Sequence, residues 1–186
     1  HYDSVPGSPG ADDNASGIAA LLALAHTLGP GRDRPRLRLA AFVNEEPPYF
    51  QSPAMGSRVH ARACREGGVE LTGAVALDGL GYYCDAPGSQ AYPLPPPPGQ
   101  RDTGDFLAFV ANETSTDLLE RVLGAFRAAS PLPVQGVVLP ESAPGAAWSD
   151  HWSFWQEGWS GIMVTDTLPF RHPGYHGPGD VPGLLD

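Results

Sequence analysis

The chain has 186 residues, 41% of them hydrophobic, which suits one globular domain with a sizeable core and argues against disorder. A formal net charge of −10, with Arg as the only long basic side chain, argues against a nucleic-acid backbone as partner. No apolar stretch approaches the ~18 residues of a membrane-spanning helix, and two cysteines, Cys64 and Cys84, exclude a disulfide framework while leaving a single bridge open.

Residues 4–12 are rich in turn formers. Asp13–Leu28 follows as a helix that Asp12, Asp13 or Asn14 could cap and that "GPGRDRP" stops. Its middle is apolar nearly all round, the pattern of a buried helix. "LRLAAFV" (37–43) reads as a strand, and Glu45 and Glu46 stand where it leaves the sheet, followed by Pro47 and Pro48. Residues 55–68 predict a surface helix ending at glycines, and "GAVALD" (73–78) a short strand ending on Asp78. "YPLPPPPGQ" (92–100) predicts a stiff polyproline-like connector on the surface. A strand over 105–111, a capped helix over 115–129, and strands at "GVVL" and "GIMVTD" complete the pattern, with a helix around "SDHWSFWQEG" between the last two. Strands alternating with helices predict an α/β fold around a mainly parallel sheet. No internal repeat is present.

Acidic residues and histidines recur at the exits of these strands. Ligands of open α/β sheets bind beyond the carboxyl ends of the strands. Glu45, Glu46 and Asp78 fall at two such ends, Asp12 and Asp13 precede a helix, and "HYD" and "YHGPGD" place His1 and His176 near the two ends of the chain. Each has an ordinary reading alone: a cap, a strand-end turn, a frayed terminus, a surface-loop histidine. Converging carboxylates would repel one another unless cations lie among them. Oxygen and nitrogen donors without thiolates suit zinc, with manganese or cobalt as lesser options. A carboxylate shared by two ions would suit a two-metal hydrolytic site. His26, His60 and His172 read as structural or surface residues.

In order along the chain, "HYDS…PGADDNASGIAALLALA", "FVNEEPPYF" with "MGSRVHA", "ALDGLGYY", "SDHWSFWQEGWSGIMVTDT" and "YHGPGD" resemble the M28 family of di-zinc aminopeptidases. The resemblance implies a three-layer αβα sandwich around a mixed, mainly parallel sheet, the zinc-exopeptidase fold. It implies two Zn²⁺ ions, with His1 and Asp78 at one, Glu46 and His176 at the other, and Asp13 bridging both. Asp3 would orient the His1 imidazole. Glu45, free of metal, would be the general base that takes a proton from a metal-bridging water and later gives it to the leaving amine. The implied substrate is a peptide, cut at its N-terminal bond. Asp150 and His151 of "SDHWSFW" are candidate pocket residues, with helix capping by Ser149 or Asp150 an equal alternative. Trp148, Trp152, Trp155 and Trp159 read first as core packing.

Gly177 and Gly79 depart from the residues usual after the last histidine and after the strand-end aspartate, neither at a ligand position. The resemblance further implies that residues 1–186 are a single catalytic domain lacking N-terminal strands and a C-terminal helix of the family. No signal peptide is visible, and secretion or the cell envelope stays open because the chain reads as cut from a longer one. Oligomeric state is unknown from sequence. Competing expectations are a glutaminyl cyclase, an acyltransferase on the same fold with one catalytic zinc; an amidohydrolase or carboxypeptidase on a related scaffold; and an inactive peptide-binding homologue.

Overall fold

The computed structural model describes residues 1–29, 37–93, 95–96 and 99–186. Its regular elements in chain order are α1 (Gly17–Leu28), α2 (Gly56–Glu66), β1 (Ala74–Leu77), β2 (Leu107–Ala111), α3 (Thr116–Ala129), β3 (Val134–Val138), α4 (His151–Trp155) and β4 (Gly161–Thr165). The strands form one mixed sheet in the order β1-β4-β2-β3. β1 runs parallel to β4 and β2 parallel to β3, while β2 and β4 are antiparallel. β2 and β4 are buried along their whole length and read as unbroken apolar runs, as strands covered on both faces must.

Helices cover both faces of the sheet, giving the αβα layering that the family resemblance implies. On one face α3 lays Leu119 and Leu123 over Leu107, Phe109, Ala111, Ile162 and Val164. Phe109 meets Phe126 edge to face, with ring centroids 5.3 Å apart. Ala74 is in register with Gly161, one residue out of step with Ile162, so it points to the opposite face. There it packs with Ala61 and Cys64 of α2 and with Phe154 and Trp159 of the α4 region. Both cysteines are free thiols, which answers the question of a bridge.

Three expectations are corrected. Residues 37–43 form no ladder among the described residues. Their carbonyls accept single bonds, Phe42 from Tyr2 N–H and Val43 from Gly56 N–H, while Leu37, Leu39 and Val43 stay exposed. An apolar run becomes a strand only where a neighbour takes up its backbone groups. The first helix begins at Gly17 rather than Asp13, because Asp13 and Asn14 leave helical dihedrals and Asn14 Oδ1 accepts the Gly17 N–H. It is also not a buried helix: Leu22 is 65% exposed and only Gly17 is fully covered. Most of the segment expected to end this helix (30–35 of 29–35) and part of the proline connector (94, 97 and 98) lie outside the described residues. Among the described residues no helix is long and apolar enough to cross a membrane.

Phe109 is 1% exposed at the centre of the α3 face. Phe109→Ala is expected to lower unfolding free energy by about 3–5 kcal/mol, the usual cost of emptying a buried phenyl site. Equilibrium urea unfolding measures this, and a loss below about 1 kcal/mol would show that α3 is not the main lid of the sheet.

Candidate metal centre

The carboxyl ends of β1 and β4 open onto the site. Asp78 follows β1 directly and donates its N–H to Val164 of β4. Tyr2 N–H bonds Phe42 O and so lays His1 beside the segment that carries the glutamate pair. The turn out of that segment is at Asn44, which takes a left-handed φ of 60° and donates its side-chain amide to Ala54 O. The Asp3 carboxylate then receives the N–H groups of both Glu45 (3.4 Å) and Glu46 (3.2 Å). Asn14 ties the Asp13 turn to β1: its amide donates to Leu77 O, and its oxygen accepts the N–H of Gly17 and of Gly79. A Cβ on Gly17 would stand 2.7 Å from Leu77 O, so the helix start can lie this close to the strand only with glycine.

These supports bring together His1, Asp13, Glu45, Glu46, Asp78 and His176. The two oxygens of Asp13 face different imidazoles, Oδ1 at 3.3 Å from His1 Nε2 and Oδ2 at 3.1 Å from His176 Nε2. His1 Nε2 is also 3.4 Å from Asp78 and 3.6 Å from Glu45, and His176 Nε2 is 3.2 Å from Glu46. Asp3 lies behind His1, its carbonyl 3.1 Å and its carboxylate 3.5 Å from Nδ1. Ligand atoms of His1, Asp13 and Glu46 lie within 4.8 Å of one another, as do those of His1, Glu45 and Asp78. His1 Nε2, Glu46 Oε1 and Asp78 Oδ1 are buried with no hydrogen-bond partner among the described residues. Buried polar atoms left open in this way, on an all oxygen and nitrogen donor set, fit one or two zinc-like cations.

Charge crowding is visible in the protonation of these groups. Burial, then Asp78, pushes the Glu45 carboxyl well up. Burial, then Asp13, raises Glu46 to about 7. Burial opposes a charged His1, but Asp78, Asp13 and Asp3 outweigh it and the imidazole is held protonated far above its usual range. Burial would raise Asp13, yet its bonds to the two histidines hold it below the ordinary value. In the metal-free protein, protons stand where cations would.

Asp150 is buried, with one oxygen 3.4 Å from the His1 backbone nitrogen and the other without a partner among the described residues. Burial lifts it to about 6. His151 is fully buried, donates to Ala146 O, stacks edge-on to Trp155 and is pulled down to about 4 by burial. Neither residue lines the adjoining cavity, and Asp150 makes no side-chain capping bond at the start of α4. Trp155 and Trp159 are core, as expected, but Trp148 stacks on Phe170 at the cavity wall.

That cavity, about 570 Å³, runs from the centre along the sheet face opposite α3, among Phe50, Val110, Leu139, Trp148, Met163 and Phe170. Tyr175, overlooked in sequence, lines it and stacks on His176 with centroids 3.8 Å apart. Burial, then Asp13 and Asp78, keeps its phenol protonated. Its position next to His176 in "YHGPGD" was the available signal.

A profile of Peptidase family M28 matches residues 1–185. YfbL, an uncharacterized protein of Escherichia coli strain K12, is 41% identical over 195 residues covering 100% of this chain and 59% of that protein. Aminopeptidase YwaD of Bacillus subtilis strain 168 is 48% identical over 46 residues, 25% of this chain and 10% of its own. Among solved structures, an aminopeptidase from Aneurinibacillus sp. strain AM-1 superposes with a TM-score of 0.67 at 26% identity, covering 100% of this chain and 37% of that one. The Legionella pneumophila LapA aminopeptidase superposes with a TM-score of 0.64 at 18% identity, over 100% of this chain and 44% of its own, a likeness of fold. The chain therefore spans 59% of YfbL and less than half of each of the aminopeptidases it matches.

The crowded carboxylates generate a pH prediction. Glu46, ordinarily near 4.5, is raised to about 7 in the fold, and Glu45 and Asp150 are raised as well. A raised carboxyl contributes stability that is complete below its unfolded value and is lost as pH rises through its folded one. Asp3 and Asp13, both lowered, give stability already present at pH 5. Metal-free protein should therefore unfold at lower temperature at about pH 8 than at about pH 5, and zinc should stabilise it more at the higher pH. Thermal unfolding with and without zinc checks this; equal zinc shifts at both pH values would contradict it.

Proposed function

The chain belongs to peptidase family M28, and from that premise we propose that it carries the catalytic centre of a two-zinc aminopeptidase. The observation that carries this reading is Asp13, whose two oxygens each face a different imidazole, with Asp78 on the His1 side and Glu46 on the His176 side. In the proposed assignment His1, Asp13 and Asp78 hold one zinc, and Asp13, Glu46 and His176 hold the other. When bound, such a pair supplies a water acidic enough to attack a peptide carbonyl and a positive field for the charge that develops there.

The protein's own groups do the rest. Glu45 is enclosed by Asp78, Asp150 and Glu46, so its carboxylate is a stronger base than an exposed glutamate. It takes the proton of the attacking water and delivers it to the departing amine. Tyr175, protonated at the cavity wall, donates a hydrogen bond to the carbonyl oxygen of the scissile bond. The cavity receives the N-terminal side chain, and its apolar walls favour an aliphatic or aromatic one. The free ammonium of the substrate is drawn by the surplus negative charge around Glu45, Asp78 and Asp150. Asp3 orients His1 and holds the amides of both glutamates, so it serves both sides of the centre.

Glu45→Gln is expected to retain its metal and lose about 10²–10⁴ in kcat, the range for removal of a general acid–base group. Loss of zinc from Glu45→Gln with retention of zinc and activity in Glu46→Gln would exchange the two roles. The reaction class is tested with Leu-p-nitroanilide, its N-acetylated form and a peptide with N-terminal glutamine. Hydrolysis of the first alone, abolished by chelator and restored by zinc or cobalt, is expected. Cyclisation of the glutamine peptide in place of hydrolysis would replace the proposal with an acyltransferase, and full activity in exhaustively chelated, metal-free protein would end it.

A further inference from the structure

We infer that Asp180 is a positioning residue for the metal centre, setting the separation of Asp13 from His176; the inference rests on the two-metal reading above. Asp180 is completely buried, and none of the ion pairs among the described residues includes it. Its carboxylate instead straddles two consecutive amides, Oδ1 accepting Asp12 N–H at 2.7 Å and Oδ2 accepting Asp13 N–H at 3.2 Å. Its carbonyl accepts Ala11 N–H at 3.3 Å. Three successive donors of the turn that presents Asp13 therefore end on one residue.

That residue also closes the loop that presents His176. Gly177 N–H bonds Gly174 O, and Asp180 N–H bonds Gly177 O. The loop folds so tightly that a Cβ on Gly174 would stand 2.4 Å from the Gly179 carbonyl carbon. His176 sits within it at a left-handed φ of 57°, a conformation costing a non-glycine residue about 1 kcal/mol or more and kept only where the surroundings hold it. Asp180 supplies that hold, because the amides it grips belong to the turn whose carboxylate His176 faces at 3.1 Å. Asp3 does the same for the glutamate pair, gripping the N–H groups of Glu45 and Glu46. Each pair of adjacent acidic residues at the centre is thus fixed by one carboxylate that faces amides.

Asp180 acts on one side of the centre more than the other. His1 is held by Asp3 and by the bond of Tyr2 to Phe42, neither of which involves Asp180. The Asp13–Glu46–His176 side has Asp180 as the link between two of its three donors, and His176 is the one exposed donor. Asp180→Asn keeps the shape but turns an amide donor toward one of the two N–H groups. It should weaken the second zinc by about 10- to 100-fold, the usual effect of removing a group that orients metal donors, and the first by no more than about threefold.

The test is zinc titration of the purified protein and its Asp180→Asn variant by calorimetry, with metal content per chain, kcat and KM, and amide hydrogen exchange of the metal-free forms. Support consists of one weakened zinc, a lower kcat at little-changed KM that excess zinc restores, and faster exchange confined to residues 11–13. A variant that merely lost global stability would speed exchange everywhere in the metal-free protein instead of at residues 11–13 alone; that result would overturn the role. Two zincs held at wild-type affinity in Asp180→Asn would also overturn it while leaving the two-metal reading intact. Wild-type protein that binds no metal would sink that reading itself. Should Asp180→Asn fail to fold, exchange in the metal-free wild-type protein decides: protected Asp12 and Asp13 amides support the clasp, and unprotected ones refute it.

Discussion

Repulsion among Asp13, Glu45, Glu46 and Asp78 is the constraint to which the rest of the structure responds. Four carboxylates in one buried cleft are unfavourable unless positive charge or protons stand between them. The fold contains no lysine and places none of its described arginine ion pairs at the cleft. It answers with two imidazoles, His1 and His176, and holds the loops that carry these groups by carboxylates that face amides. Asp3 and Asp180 each take two amides. Asp12 accepts Gly81 N–H, and Asp166 accepts those of Tyr82 and Leu168. These four carboxylates fasten the loops carrying Asp13, Glu45, Glu46, Asp78 and His176 to one another. Two imidazoles do not balance four carboxylates, so the cleft keeps a negative surplus, and that surplus is what makes it a receptacle for cations.

The sheet separates this charged work from the apolar work. α3 seals one face with leucines and phenylalanines, which accounts for much of the folding free energy available here. The opposite face under β2 and β4 is left for the cavity, where Phe106, Ala108, Val110 and Met163 are covered by loops rather than by a long helix. Antiparallel pairing of β2 with β4 matters for this arrangement. It lets the carboxyl ends of β1 and β4 face the metal centre while β3 extends the apolar floor away from it. A side chain entering the cavity therefore leaves the charged region within a few residues of Asp78.

Much of this was legible in the sequence. Glu46 after an apolar run, Asp78 at a strand end, the turn at Asp13 and the two histidines pointed to one centre, and they do converge. Alternation of strands and helices gave the layered α/β class, with boundaries off by one to four residues. The miss at 37–43 has a physical cause: a hydrophobic run reports burial preference, whereas a strand needs a partner for its backbone, which no local pattern encodes. The miss at α1 is the converse, since apolarity on every side describes what a helix could bury and not what is present to cover it. Asp180 and Tyr175 escaped, and Asn14 was legible only as a helix cap, because their importance lies in contacts across 60 to 170 positions of sequence, or in a ring stacked against its neighbour. One sequence displays such residues as turn formers and nothing more. Cavity-lining Trp148 was read as core because aromatic clustering is the same signal in both settings.

The glutamate pair shows how far the local environment separates two identical side chains. Glu45 and Glu46 share a backbone turn and a common anchor in Asp3, and both are almost fully covered. Glu46 points to the His176 side, where a partly open imidazole offsets Asp13 and the carboxyl rises to about 7. Glu45 points inward to Asp78 and Asp150, with His1 in opposition, and burial, then Asp78, pushes its carboxyl well up. A group that shares an imidazole with another carboxylate is suited to holding a cation. A group more deeply enclosed among like charges binds a proton more readily and releases it when the charge beside it changes. The division of labour proposed for the pair thus needs no difference in chemistry between the two residues. It requires only that Asn44 turn the backbone so that neighbouring side chains enter opposite halves of the same electrostatic field.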